Sequence, residues 1–203
     1  VPDKSAGDVF TEAMWDSYIR DNINKLLDRG HRILTVAQFA ALTGLEDGDE
    51  AYVEVDATAG VIWHVRYVSA ETTYKWRFLG GPPMVAEVTT AEATSNAAYV
   101  ALTTAGPSVT LPRSGDYDVE QQHGSAAGTD AVIRRMSYDI GGTGAVDAAA
   151  IVVSRYGTYQ RVRRKTGLGS VALVSKYKSD GTNSVSFQDR AMRVTPARIR
   201  HDA

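Results

Sequence analysis

The sequence contains no cysteine, only four histidines, and no run of apolar residues near the eighteen or so that a membrane-spanning helix needs. Without cysteine there is neither a disulfide framework nor a thiolate metal site, so durability rests on packing or on association of copies. His31, His64, His123 and His201 are scattered without i, i+4 spacing, which removes the usual signature of a zinc pair. Each is expected on the surface or on a strand face, and no metal or cofactor is expected. No Gly-x-Ser-x-Gly elbow, P-loop or dinucleotide fingerprint is present. Gly141-Gly142-Thr143-Gly144 lacks the Lys-Ser/Thr ending and precedes an Ala-rich strand, so it reads as an inter-strand loop. The chain begins without a basic-then-apolar leader pattern, and no membrane insertion is expected.

What is present is an ordinary globular balance, 43% hydrophobic and 23% charged over 203 residues, enough for one large domain or two small ones. The net charge of -2 hides an asymmetry: residues 1–88 hold 8 Lys and Arg against 14 Asp and Glu, while residues 89–203 hold 14 against 10.

Thr11 is a good N-cap, with Phe10 before it and Trp15 inside as a hydrophobic staple. Apolar residues then recur near the 3.6 period, and Gly30 ends the run. The face formed by Trp15, Tyr18, Ile19, Asn22, Ile23, Leu26 and Leu27 is a candidate oligomer interface, in which Asn22 would set register between identical helices. The same stripe fits packing on the chain's own β structure equally well.

Beyond the turn at Glu46-Asp47-Gly48-Asp49, alternation over Tyr52–Val55, Val61–Val68 and Tyr74–Phe78 predicts a small antiparallel β meander. Gly80-Gly81-Pro82-Pro83 closes it. From residue 97 onward, eight or nine short strands separated by Gly, Pro and Asp predict an antiparallel β-sandwich or jelly roll. The expected strands are 98–103, 108–111, 115–122, 131–138, 149–154, 158–165, 171–178, 185–188 and 192–199. The fold class is therefore mainly β, divided as an N-terminal amphipathic helix at 1–34, a β module at 35–83, a linker at 84–96 and a sandwich domain at 97–203.

Three clusters invite a chemical reading. Asp47, Asp49 and Glu50 lack the twelve-residue calcium loop and fit a solvated turn. Asp116, Asp118 and Glu120 alternate along one strand, about 7 Å per step of two, a spacing that paired glycosidase carboxylates and a plain polar strand face share. The polar face is favoured, so no catalytic residue is named and no enzymatic activity is expected. Arg161, Arg163, Arg164 and Lys165 form the clearest basic run. With an overall pI near 6.1 a nucleic-acid partner is not expected, and a strand edge, an acidic partner or plain solvation are the readings left.

Asp8-Val9-Phe10-Thr11-Glu12-Ala13-Met14-Trp15, with Tyr18-Ile19-Arg20-Asp21-Asn22 and Leu26-Leu27, resembles the N-terminal helix of tail-fibre and minor structural proteins of tailed phages. The stretches Asp47–Val53, Gly60–Tyr67 and Lys75–Pro83 are similar to the small β module that follows it in such proteins. The layout from Thr110–Tyr117 to Phe187–Pro196 resembles their jelly-roll heads. The resemblance implies a homotrimer exposed on the virion, assembled in the host cytoplasm, that contacts other virion proteins of tail or capsid. A host surface glycan or protein is the candidate ligand. A capsid decoration or head-fibre protein that stabilises the shell is the alternative, and a carbohydrate-active enzyme on a jelly-roll scaffold is the third reading. Tyr99, Tyr117, Tyr138, Tyr156, Tyr159 and Tyr177 include candidates for ligand contact, with half or more expected in the core.

Overall fold

The computed structural model describes residues 33–125, 132–153, 157–180 and 183–201. The helix face from Trp15 to Leu27, and His31, lie outside the described residues. Thirteen strands, one short α-helix and a single 3-10 turn at Asp147–Ala149 are present among the described residues. They are β1 (Ile33–Thr35), α1 (Val36–Ala40), β2 (Glu50–Asp56), β3 (Val61–Tyr67), β4 (Trp76–Gly80), β5 (Met84–Val88), β6 (Glu92–Thr94), β7 (Ser108–Thr110), β8 (Gly115–Ser125), β9 (Arg134–Ile140), β10 (Ile151–Val153), β11 (Gly157–Leu168), β12 (Ala172–Ser179) and β13 (Val185–Ile199).

The chain is mainly β, with sandwich-like sheets. A nine-stranded sheet runs β1-β2-β3-β4-β13-β8-β11, with β5 and β6 also paired to β13, and a four-stranded sheet runs β10-β9-β12-β7. Within the sandwich, β13, β8 and β11 belong to the first sheet and β7, β12, β9 and β10 to the second, an alternation that produces the strand order of a jelly roll.

The β2-β3-β4 meander forms where period-2 alternation predicts it. Val61, Trp63 and Val65 are buried on one face of β3, and Ala51 and Val53 of β2 join them. Gly81 has φ +125°, and a Cβ there would stand 2.3 Å from the Ile62 carbonyl oxygen. Its backbone thus lies against β3, and the Trp63 indole N–H donates to Pro82 O at 3.1 Å. The short helix α1 starts at Thr35, whose hydroxyl accepts from Gln38 N while the Gln38 side chain accepts from Thr35 N. It exists to place Phe39, fully buried with its ring 4.9 Å from that of Trp76.

Four expectations change. Residues 84–96, which read as a linker, hold β5 and β6, and both pair with β13. β4 also meets β13, through Trp76–Ile199 and Arg77–Arg198, so module and sandwich share one sheet and one core that joins Trp63 and Trp76 to Tyr117, Leu173 and Val194. Residues 98–103 form no strand, only the bridge Val100–Tyr177.

The expected strands 185–188 and 192–199 are one continuous strand, bent by bulges. Gln188 and Ala191 pair with Gly124 and Gln122, which leaves one extra residue, and Asp189 takes it up with φ +46°. The inward face thereby changes from Val185 and Phe187 to Met192 and Val194, all buried. Pro196 sits beside a second register shift, in the gap between the stretches paired to β5 and β4, where a missing N–H is tolerated.

Candidate functional site

The basic run falls on β11, the terminal strand of the large sheet, and alternation splits it between two faces. Arg164 points outward and closes a bidentate pair with Asp118 of β8, 2.5 and 2.7 Å, which holds that carboxyl below the usual range. Arg161, Arg163 and Lys165 point toward the second sheet. The Arg161 guanidinium donates to Ala150 O, and the Lys165 ammonium stands 5.7 Å from the centroid of the Tyr138 ring. Arg163 Nε is buried without an acceptor. The structure thus brings three of the four residues into one row and gives the fourth a separate role.

The alternating acids of β8 are spread over three ion pairs rather than joined in one site. Asp116, 3% exposed, receives Arg198 at 2.8 and 3.2 Å and the Gly167 amide at 3.0 Å. Asp118 has Arg164, and Glu120 meets Arg193 at 3.1 Å. Each carboxylate is neutralised by a named arginine, the arrangement of a polar outer face.

The acidic turn is also accounted for locally. Asp47 accepts from the Ser69 amide and hydroxyl, which lowers its pKa, and Glu50 is bound by Arg66 and His64. No group of three or more His, Cys, Asp or Glu placed to hold a metal occurs among the described residues.

One feature escapes sequence reasoning. Arg198 bridges Asp116 to Glu71, 2.7 Å away in the loop before β4, and Arg77 binds Glu71 as well at 3.1 Å. These two arginines, Arg77 first, hold the Glu71 carboxyl below its ordinary pKa. The network floors an open groove of about 400 Å³ whose walls include Thr72, Thr73, Tyr74 and Thr166. Hydroxyls, a tyrosine and a charge-paired floor provide hydrogen bonds for a polar ligand of sugar-residue size. Glu71 and Arg198 lie 127 residues apart, and Asp116 and Arg198 82, so no local spacing signals the groove.

Of the six tyrosines singled out, Tyr117, Tyr138 and Tyr177 are core residues and Tyr156 lies outside the described residues. Tyr99 is half-buried and donates its hydroxyl to Asp147 at 2.9 Å. Tyr117 donates to Arg113 O at 2.6 Å, tying the turn before β8 to the core. Toward the other end of the sandwich the inward positions become polar. His123 and Arg190 are fully buried beside Tyr177 and Phe187, and burial pushes His123 down to about 4.

No protein-family model matches the sequence, and no curated protein is similar to it. Solved structures with some likeness include the Eiger TNF of S. frugiperda, at 9% identity and a TM-score of 0.39 over 60% of this chain and 95% of that one. A chain of infectious bursal disease virus, Gx strain, aligns at 13% identity and TM-score 0.35 over 70% of this chain and 43% of its own. The exo-beta-1,3-galactanase of Phanerochaete chrysosporium aligns at 15% identity and TM-score 0.33 over 68% and 36%. Identities and scores this low tie the chain to none of the three.

Proposed function

We propose that the chain is a structural component of a tailed-phage particle, a fibre or spike module that works as a multimer, with three as the expected copy number. In this reading residues 1–34 anchor and assemble the module, and the jelly roll projects from it toward a host surface or a neighbouring virion protein. The observation that carries the reading is the aromatic core that residues 39–117 form beneath the β module. Phe39, Trp63 and Trp76 are buried among one another and against Phe78, Tyr67 and Tyr117. A core built from aromatics of residues 39–117 supports assigning the apolar stripe of Trp15, Ile19, Ile23 and Leu26 to contacts between copies.

The chain performs no catalysis in this reading, and the carboxylates of β8 and the groove serve structure and contact. Size-exclusion chromatography with light scattering on the full chain at micromolar concentration tests it. A multimer is expected, converted to a folded monomer by Ile19→Asp with Ile23→Asp. A monomeric parent chain overturns the proposal, and so does a double variant that loses its β circular dichroism, because the stripe then belongs to the chain's own core. Immunogold labelling of particles reports position: label on the tail supports the fibre, and label on the head replaces it with a shell-decorating protein.

A further inference from the structure

The inward face of β11 carries Arg161, Arg163 and Lys165 at alternate positions, about 6.6 Å apart along the strand. None of the three meets a carboxylate among the described residues. Their contacts are the Ala150 carbonyl for Arg161 and the Tyr138 ring for Lys165, while Arg163 Nε has no acceptor. The Tyr138 hydroxyl beside them is buried and also without a partner, in a side chain 3% exposed. Elsewhere on the sandwich strands, Arg135, Arg164, Lys176, Lys178, Arg193 and Arg198 each hold an acidic partner. Three cations without an acidic partner among the described residues thus share one row.

That row lies on a strand with an open edge. β11 pairs through Gly157–Leu168 with β8, and among the described residues no strand pairs its other side. Twelve residues of backbone leave alternate N–H and C=O groups facing outward, a template for an added strand. On the opposite face of the same edge, Val162 is 53% exposed between the outward positions Gln160 and Arg164. An incoming extended chain has the same period of two. Its side chains on one face fall beside the three cations, and those on the other beside Val162.

From this geometry we infer that the free edge of β11 docks an extended segment of a partner polypeptide with acidic residues at alternate positions and apolar residues between them. Arg161, Arg163 and Lys165 read the acids, and the backbone of β11 extends its ladder into the partner. A linear sulfated glycan matches the charge but leaves the ladder unused, which is why a polypeptide is the occupant. The inference concerns an edge remote in sequence from the N-terminal stripe and does not depend on the copy number.

The test uses the full chain and a fluorescein-labelled ten-residue peptide of alternating Glu and Val, followed by anisotropy, with a Glu-block, Val-block peptide of equal composition as control. Saturable binding of the alternating peptide is expected, weakened by salt. Arg163→Glu should weaken it about tenfold or more, from the loss of a charge-assisted hydrogen bond. Arg163→Gln and Lys165→Gln, which place no new charge inside, should each weaken it in the same direction, while Arg66→Gln, on β3 of the module, leaves it nearly unchanged. Hydrogen exchange across residues 157–168 should slow on binding. Equal binding of the block peptide, or binding with unchanged exchange, overturns strand addition. Binding of sulfated dextran but not of the peptide overturns the polypeptide occupant. No binding at all makes the row an inward charge guard on a bare edge and sinks the proposal.

Discussion

The guanidinium of Arg190 lies 5.3 Å from the centroid of the Tyr177 ring, and both side chains are fully buried between the sheets. Arg190 donates to Thr90 O at 3.0 Å and stands 3.6 Å from Glu92, so it fastens the β5–β6 connection to β13. Two of its nitrogens, Nε and Nη1, have no hydrogen-bond acceptor among the described residues. A cation buried with partial satisfaction is held at a desolvation cost that its contacts only partly offset. Arg190→Ala, which removes the side chain and opens a cavity, should destabilise by about 3 kcal/mol. Arg190→Met fills the space without the charge and should cost less than half of that. Urea denaturation of the two variants checks the order, and an equal loss from both would mean that the charge itself is what counts.

His123 gives the fold a sensitivity to mild acid. Its ring is buried against Phe187, 5.2 Å between centroids, and burial is the main cause of a pKa lowered to about 4 from 6.5. The unfolded chain takes up a proton below pH 6.5 that the folded chain refuses until about pH 4, so stability falls across that window as pH falls and levels off beneath it. The full effect is roughly 3 kcal/mol, from 1.4 kcal/mol per unit. His123→Gln should flatten the dependence of unfolding free energy on pH between 6.5 and 4. An unaltered slope in the variant would assign the acid sensitivity to other groups.

Asp118 acts with the same sign at lower pH and a smaller size. Arg164 lowers its folded pKa, so its contribution is present above the unfolded carboxylate pKa and is lost as pH falls through the folded one. The pair is partly exposed, with 53% of the Arg164 side chain and 35% of the Asp118 side chain accessible. A double-mutant cycle with Arg164→Ala and Asp118→Ala should therefore give only about 0.5 kcal/mol of coupling, reduced further in 0.5 M salt. Coupling above about 2 kcal/mol would show that the sheet edge is far better shielded than its exposure implies.

Strands with clean alternation were legible in the sequence, and strands with a break in parity were not. β3 reads directly because Val61, Trp63 and Val65 leave Ile62, His64 and Arg66 on the other face. β13 reads as two pieces because the Asp189 bulge shifts its inward set by one, and a polar Asp-Arg pair resembles a turn. β5 is hidden behind Pro82-Pro83, although Met84 and Val88 keep the period of two. The parity of Tyr117 and Val119 continues to Gln121 and His123, which was the signal that these polar residues face inward. The basic run was visible as charge, but its division between a paired Arg164 and an unmatched row required the neighbouring strands. The Glu71–Arg198–Asp116 network was invisible for the same reason, being assembled by non-local pairing.

Gly81 provides the sharpest test of how the β module joins the rest. Its φ of +125° is a conformation that side chains rarely adopt, and a Cβ would meet Ile62 O at 2.3 Å and the Trp63 Cα at 3.2 Å. Both obstacles are backbone of β3, so neither can rotate away. Relief would push the Gly81-Pro82 segment off β3 and break the bond from the Trp63 indole to Pro82 O. It would also displace Met84, the start of the β5 pairing with β13. Gly81→Ala should therefore destabilise by about 2 kcal/mol or more, combining backbone strain with overpacking. Gly48→Ala, whose φ is +91° but whose Cβ would meet nothing within 4 Å, isolates the strain alone and should cost less. Thermal unfolding of the two variants separates the contributions, and equal losses would mean that the close approach to β3 carries no weight.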